Sequence, residues 1–421
     1  MIQKISYNLG IAILSRIVVG GISLIVISLL TRALGPAGYG YYNLIFAYLF
    51  IFTSIADLGL YTILVREVSR ADADGEKLIS SKIFTLRLFF VVSILVLADF
   101  LVLLLPYPSL VKLGIIIASL SSVFSSLAQV LIGVFQKHLR LYLVSIADII
   151  ARICQLVILA VMIYFKAGLL LFVWAVVLSE IIHFLLIFVS SRSLVKVKLS
   201  VDFGYWKQTL QAALPIAASL IFVLIYFKLD TILLSLMKPA YDVGVYSVAY
   251  KILEAVIFLP AIYVGLIMPL LSRYAFGNRA EFIKTFRRAF NVLSIFALPL
   301  AAYIFILSDK IIRIISGSSF AQSGPVLEIL SIAVLMIFFG NLGGNAIVAL
   351  NLQKKGMWIY LAGAIFNVGA NLILIPKYTY FAAAWTTVAT EILITLWMFR
   401  LIKKEARTTV DKTVLFKAII A

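Results

Sequence analysis

Long apolar runs separated by short polar breaks govern this chain. Runs near 8–34, 40–65, 83–105, 111–135, 141–165 and 169–190 precede a polar stretch around 191–208. A second set follows near 209–236, 243–271, 289–311, 325–351, 357–375 and 381–402. Crossing about 30 Å of hydrocarbon takes about 20 apolar residues in a helix, so the pattern predicts an all-α integral membrane protein of about twelve transmembrane helices. The longest breaks, 66–82, 191–208 and 272–288, leave no room for a soluble domain between spans. Domain boundaries follow as 1–200 and 201–405, one set of six spans each, with 406–421 as a cytoplasmic tail or the start of a further apolar segment.

The two sets repeat. Pro36-Ala-Gly-Tyr-Gly-Tyr-Tyr42, between the first two runs, is echoed by Pro239-Ala-Tyr-Asp-Val-Gly-Val-Tyr246 between the seventh and eighth. Ser69-Arg70 matches Ser272-Arg273, Gln136-Lys137 matches Gln353-Lys354, and Asp148, Ala151 and Arg152 fall where the other half has Asn367, Ala370 and Asn371. Six is an even number of spans, so both halves share one orientation in the membrane, the parallel-repeat arrangement in which transporters bind substrate between halves and rock to give alternating access.

Composition agrees: 64% of residues are hydrophobic, 13% are charged and the mean hydropathy is +1.13, against roughly half apolar and a quarter charged in a soluble domain. The first run is too long for a cleavable signal peptide. A single cysteine, Cys154, lies within an apolar segment and reads as packing.

The net charge of +18 suggests an anionic partner until its placement is read. Most lysines and arginines fall in the breaks of one side, and the positive-inside rule then puts the N-terminus and the end of span twelve in the cytoplasm of a cell-membrane protein. Spread over several short loops, these cations form no groove for nucleic acid, which is excluded as a partner; membrane lipids are the expected surroundings.

Charges within the spans are more informative, because one at mid-bilayer costs about 2.5–3.5 kcal/mol unless paired or solvated. The cations are Arg16, Arg152, Lys228 and Lys251, with Arg87 near enough to the inner face to snorkel. The anions are Asp57, Asp148, Glu180, Asp230, Glu254 and Glu391, as counter-charges or ion-coupling groups. Asp148 with Arg152 and Lys251 with Glu254 have helical spacing for local pairs. Lys228 and Asp230 point apart on a helix, and Arg16 has no neighbour on its own, so those two cations need anions from other helices or a solvated lumen. Glu180 and His183, three apart, suit a polar pair or a proton relay. Gly20-Gly21, Pro215, Pro260, Pro269, Pro299 and Gly340–Gly344 mark expected kinks, with close helix packing favoured at Gly343-Gly344.

Arg32-Ala-Leu-Gly35-Pro36-Ala-Gly-Tyr39-Gly-Tyr-Tyr42, then Phe46-Ala47, Asp57-Leu-Gly-Leu60 and Arg66-Glu67, resembles the N-terminal signature of polysaccharide (Wzx-type) flippases. These belong to the multidrug/oligosaccharidyl-lipid/polysaccharide exporter superfamily. The resemblance implies two pseudo-symmetric six-helix bundles around a central cavity. It also implies a lipid-linked oligosaccharide substrate, on a polyprenyl pyrophosphate carrier, moved from the inner to the outer leaflet, with polysaccharide-assembly proteins as further partners. Arginine and lysine in a lumen would hold the pyrophosphate by charge-assisted hydrogen bonds, which singles out Arg16, Arg152, Lys228 and Lys251 as substrate-binding candidates.

The alternative within the superfamily is an H⁺- or Na⁺-coupled organic-cation antiporter, which favours Asp57, Asp230 and Glu391. No cofactor or metal is expected, and H⁺ or Na⁺ stays open as a coupling ion. An enzyme is not expected: Asp72-Ala73-Asp74 spells the D-x-D of metal-dependent glycosyltransferases, but its loop cannot supply a nucleotide-sugar domain.

Overall fold

The structure, a computed structural model, describes residues 2–57 and 59–406, with side chains left undescribed at 2–10, 12, 13, 214–227 and 406. The expected tail beyond 406 and the side chain of Pro215 lie outside the described residues. Among the described residues the chain is all α apart from one 3₁₀ turn, Ser318–Phe320, and nine helices are long and apolar enough to cross a membrane. It is a multi-pass membrane fold.

The chain divides into two compact units, Met1–Leu224 and Ile225–Ala421. The first contains α1 (Ile2–Asp57), α2 (Leu60–Arg70), α3 (Ala73–Leu104), α4 (Ser109–Lys137), α5 (Leu141–Tyr164), α6 (Leu169–Ser191) and the start of α7 (Phe203–Met237). There α4 packs against α3 and α6, and α5 against α1 and α6. The second unit continues with α8 (Ala240–Gly277), α9 (Arg279–Ser316), α10 (Ser323–Ala349) and α11 (Gln353–Ala406). Here α10 packs against α8, α9 and α11 and is the most enclosed of the apolar helices.

Three backbone features interrupt the regular helix. Gly35, at φ 64°, breaks α1, and Pro36 then opens its second segment, a position where the missing N–H costs nothing. Gly59, at φ 75°, separates α1 from α2, so the expected second span, 40–65, is interrupted directly after Asp57. Thr379, at φ 51°, divides α11 after Pro376, a left-handed conformation that strains a β-branched residue. The breaks do not fall at the prolines of the apolar runs: Pro260 and Pro269 lie inside α8, and Pro299 inside α9, without a non-helical residue. Pro239, from the repeated motif, precedes α8, and Asn278 accepts from Glu281 N at 3.1 Å to cap α9.

The D-x-D sequence is also a cap. Asp72 accepts from Gly75 N at 2.8 Å at the start of α3, which satisfies an end amide, and Asp74 is exposed. Among the described residues no group of acidic, histidine and cysteine side chains could hold a metal ion.

The small residues of α10 set its distance from α11. A Cβ on Gly343 would stand 3.3 Å from Met398 Cβ and 3.5 Å from Phe399, and one on Gly340 3.0 Å from Thr395 Oγ1, whereas a Cβ on Gly20 or Gly21 would meet nothing within 4 Å. Gly343→Leu should therefore lower stability by about 1–3 kcal/mol, while Gly20→Ala should raise it by about 0.5–1 kcal/mol. Thermal unfolding in detergent checks the contrast.

An extended stretch, 195–202, runs beside α3. Lys198 N donates to Ser81 Oγ at 3.1 Å and Ser200 N to Thr85 Oγ1 at 2.8 Å, and Lys82 Nζ donates to Asp202 Oδ2 at 2.7 Å. The Lys82 hydrogen bond, with others from backbone amides, holds Asp202 below the usual carboxylate range. A depressed carboxylate stabilises its contact above its unfolded pKa of about 3.9 and loses that contribution as pH falls through the folded value. Hydrogen exchange along 195–202 should be flat from about pH 5 to 8, after correction for intrinsic rates, and accelerate below about pH 4.

Candidate functional site

In the first unit α1, α3, α4 and α6 enclose a cavity of about 510 Å³. Hydroxyls dominate its polar lining: Thr53 and Ser54 from α1, and Ser121, Ser122, Ser125 and Ser126 from α4, with Gln129 one turn on. Three charged groups complete it, Asp57, Arg87 and Glu180.

Asp57 is the last residue of α1, and Arg87 Nη1 from α3 lies 2.6 Å from its Oδ1. The two atoms do not meet hydrogen-bond angles, so the contact acts as a close charge pair rather than an aligned bond. Arg87 Nε donates to Ser126 Oγ at 2.8 Å. Arg87 is 3% exposed, which corrects the expectation that it snorkels to the surface. Its charge is met inside the bundle, so the side chain has no need to reach water.

Arg152 on α5 faces two carboxylates. Its Nη2 lies 3.6 Å from Glu180 on α6, its Nε lies 3.9 Å from Asp148, and Nη1 donates to Gln155 Oε1 at 2.9 Å. His183 Nδ1 stands 4.0 Å from Glu180, a polar neighbour at charge-pair distance. Arg16 is exposed on α1 and makes no ion pair among the described residues.

In the second unit, Lys228 on α7 donates to Glu254 on α8, so its anion comes from another helix. Glu254 also accepts from Lys251 Nζ at 2.7 Å. Two lysines therefore share one carboxylate, where spacing suggested that Lys251 and Glu254 would neutralise each other alone. Lys228 Nζ further lies 5.3 Å from the centre of the Tyr250 ring, a cation–π distance.

Asp230, two residues along, points into a different cluster and is 1% exposed. It accepts from Thr387 Oγ1 at 2.8 Å, Asn371 Nδ2 at 2.8 Å and Tyr246 OH at 3.1 Å. Asn371 also donates to Asn367 Oδ1 at 3.2 Å, and Asn367 to Thr390 Oγ1 at 3.3 Å. Among the described residues the carboxylate is held by neutral donors and not by a cation, and Tyr246 is the residue that closes the second copy of the repeated motif. Glu391 is 5% exposed on α11, beside Gly340 of α10.

Sequence reading missed several of these groups. Arg87 lies near a span end, where a cation ordinarily reaches water. In the sequence Asn367 and Asn371 stand out only as repeat positions, and Tyr246 only as part of a motif. Neutral hydroxyls were not considered, although Ser121-Ser122 with Ser125-Ser126, and Thr387 with Thr390, recur at helical spacing inside apolar runs.

Comparisons with known proteins fit this architecture. The polysaccharide biosynthesis protein family matches residues 5–275, and the MatE family matches residues 215–373. The capsular polysaccharide biosynthesis protein CapF of Staphylococcus aureus is 24% identical over 276 residues, 65% of this chain and 70% of that protein. Among solved structures, the fold is similar to the lipid II flippase MurJ in an inward closed conformation, with a TM-score of 0.80 at 15% identity over 97% of this chain and 90% of that one. It is also similar to an inward-facing multidrug resistance MATE family transporter of the MOP superfamily, with a TM-score of 0.73 at 16% identity over 94% and 96%.

Spans and buried charges define the class, a multi-pass all-α membrane protein. Within it, the chain belongs to the polysaccharide biosynthesis protein family.

The Arg87–Asp57 pair gives a direct test. Arg87→Gln leaves Asp57 without its cation and should cost about 3 kcal/mol, the low end for a broken buried pair, because 28% of the Asp57 side chain remains exposed. Adding Asp57→Asn should restore a large part of the loss. Thermal unfolding of both single variants and the double variant measures the coupling, and additive losses would show that the two charges do not act as a pair.

Proposed function

We propose that this protein is a flippase that moves a lipid-linked oligosaccharide, carried on polyprenyl pyrophosphate, from the inner to the outer leaflet by alternating access. The observation that carries the proposal is the sharing of Glu254 by Lys228 and Lys251, which leaves a formal surplus of one positive charge in that triad on apolar helices. A pyrophosphate cannot enter hydrocarbon unaccompanied, and lysine ammonium groups offer charge-assisted hydrogen bonds to it. The hydroxyl-lined cavity of the first unit offers neutral donors and acceptors of the kind a sugar uses. The family match and the similarity to CapF, a capsular polysaccharide biosynthesis protein, and MurJ, a lipid II flippase, support the same cargo class.

The reading extends to topology and coupling. The breaks at Gly35 and Thr379 divide α1 and α11 into two spans each, giving twelve in two sets of six, with halves at 1–200 and 201–405 and both ends cytoplasmic. Asp230 is the proposed site for a coupling H⁺ or Na⁺. Its hydroxyl partners, and the amides of Asn367 and Asn371 when turned over, supply the oxygen ligands a hard cation prefers. Polysaccharide-assembly proteins are the proposed partners.

The test is translocation of a fluorescent polyprenyl-pyrophosphate saccharide in vesicles. Lys228→Gln and Lys251→Gln should each slow transport by about tenfold or more, since a hydrogen bond to a charged group is worth about 1.5–3 kcal/mol. Arg16→Gln, at an exposed position, should change it by less. Unchanged rates in both lysine variants would reject the mechanism. A parent protein inactive on such lipids that exports organic cations against a proton or sodium gradient would establish the antiporter instead.

A further inference from the structure

Within the second unit, the break at Thr379 folds α11 back on itself, so that its first turn and its last turns lie together. The closing contact is Lys355 Nζ to Glu405 Oε1 at 2.5 Å. Between these ends lies a cleft of about 640 Å³. Its walls are of two kinds. Ile359, Trp397 and Leu401 form an apolar floor, and Lys355, Arg400, Lys403 and Lys404 form a basic rim.

Two ordinary explanations account for part of this charge. Arg400, Lys403 and Lys404 end a helix, where cations complement the dipole, and a basic loop orients a span. The dipole does not explain Lys355, which stands in the first turn of α11, where a cation is disfavoured. Glu405 is the acidic group against Lys355, and it is held below the usual carboxylate range by that lysine, so it stays charged and still leaves the rim with more cations than anions. Trp397, 43% exposed above the floor, is the amphipathic type of residue that settles at the headgroup level of a bilayer.

We infer that this cleft binds one anionic phospholipid, its phosphate on the basic rim and the upper part of an acyl chain against Ile359, Trp397 and Leu401. Charge complementarity selects the headgroup, and the apolar floor selects a lipid over a soluble phosphate. The site is separate from the lysine triad and from the Asp230 cluster, so it is a place for a resident lipid rather than for cargo.

The full-length protein in bilayer nanodiscs tests this through Trp397. Fluorescence quenching by brominated phosphatidylglycerol is compared with quenching by brominated phosphatidylcholine at equal mole fraction, and the Trp397→Phe protein is subtracted to isolate that residue. Each basic residue near an anionic lipid is worth about a fivefold enrichment, so quenching should favour phosphatidylglycerol by about fivefold or more. The preference should vanish in Arg400→Gln/Lys403→Gln/Lys404→Gln and persist in Arg287→Gln/Arg288→Gln, whose exposed cations lie on α9 outside the cleft. Native mass spectrometry of the same proteins should show one retained phosphatidylglycerol lost only in the cleft variant. Equal quenching by both lipids, or a preference that survives the cleft variant, overturns the site. Loss of the preference on adding millimolar inorganic pyrophosphate would assign the rim to a soluble phosphate and overturn the lipid.

Discussion

A charge carried into hydrocarbon must be met by groups on the helices packed around it, and most of the chemistry described here follows from that constraint. The two units satisfy it differently. In the first, the two cations beside the cavity meet carboxylates: Arg87 has Asp57, and Arg152 has both Asp148 and Glu180. In the second, the balance tips the other way at the lysine pair, where one carboxylate serves two ammonium groups. Asp230, two residues along the same helix, is met among the described residues by neutral donors. Lys228 and Asp230 do not neutralise each other despite lying two residues apart, because a helix turns them to different faces.

The helix breaks belong to the same account. Gly59 ends α1 immediately after Asp57, which leaves the carboxylate at the C-terminal end of a helix, where the dipole disfavours an anion. Arg87, reaching across from α3, compensates the carboxylate. A glycine in the left-handed region thus places a charge, and a cation from the next helix makes the placement tolerable. Thr379 has a comparable role in α11, turning the chain so that Asn367 and Asn371 before the break share a cluster with Thr387 and Thr390 after it.

What the sequence discloses follows from the range of each signal. Apolar runs report burial or lipid over twenty residues at a time, so the membrane fold was legible, and so were the breaks between runs that hold Pro36 and Pro239. Deep charges were legible too, because few other residue types are so costly in lipid. Their partners were not, since Glu254 reaches Lys228 across 26 positions and Asp57 reaches Arg87 across 30, and no helical spacing encodes such a contact. The hydroxyls were overlooked for another reason. Serine and threonine satisfy themselves on the preceding turn of a helix, as Thr390 does on Thr386 O, and so give no hydropathy signal even where they also line a cavity or meet a carboxylate.

Neither residue type marked the breaks by itself: Gly20-Gly21 and Gly340–Gly344, expected kinks, lie in continuous helix as the prolines of α8 and α9 do. Pro260, Pro269 and Pro299 remove a backbone donor yet leave α8 and α9 continuous, as membrane helices tolerate. Gly35 and Gly59 break the chain because they adopt a conformation other residues avoid.

On the proposed function, the shared carboxylate has a further consequence for turnover. A binding site with bare cations in the membrane would be costly when empty and would hold an anion too firmly to release it. Lys228 and Lys251 are already hydrogen-bonded to Glu254, so an arriving pyrophosphate exchanges one set of charge-assisted contacts for another instead of creating them. Gross attraction stays large, which keeps the cargo's charge covered in transit. Net affinity stays modest, because the carboxylate competes for the same ammonium groups and reclaims them on release. A transporter needs that combination, and a surplus of one positive charge over an internal anion provides it more directly than a cluster of cations alone.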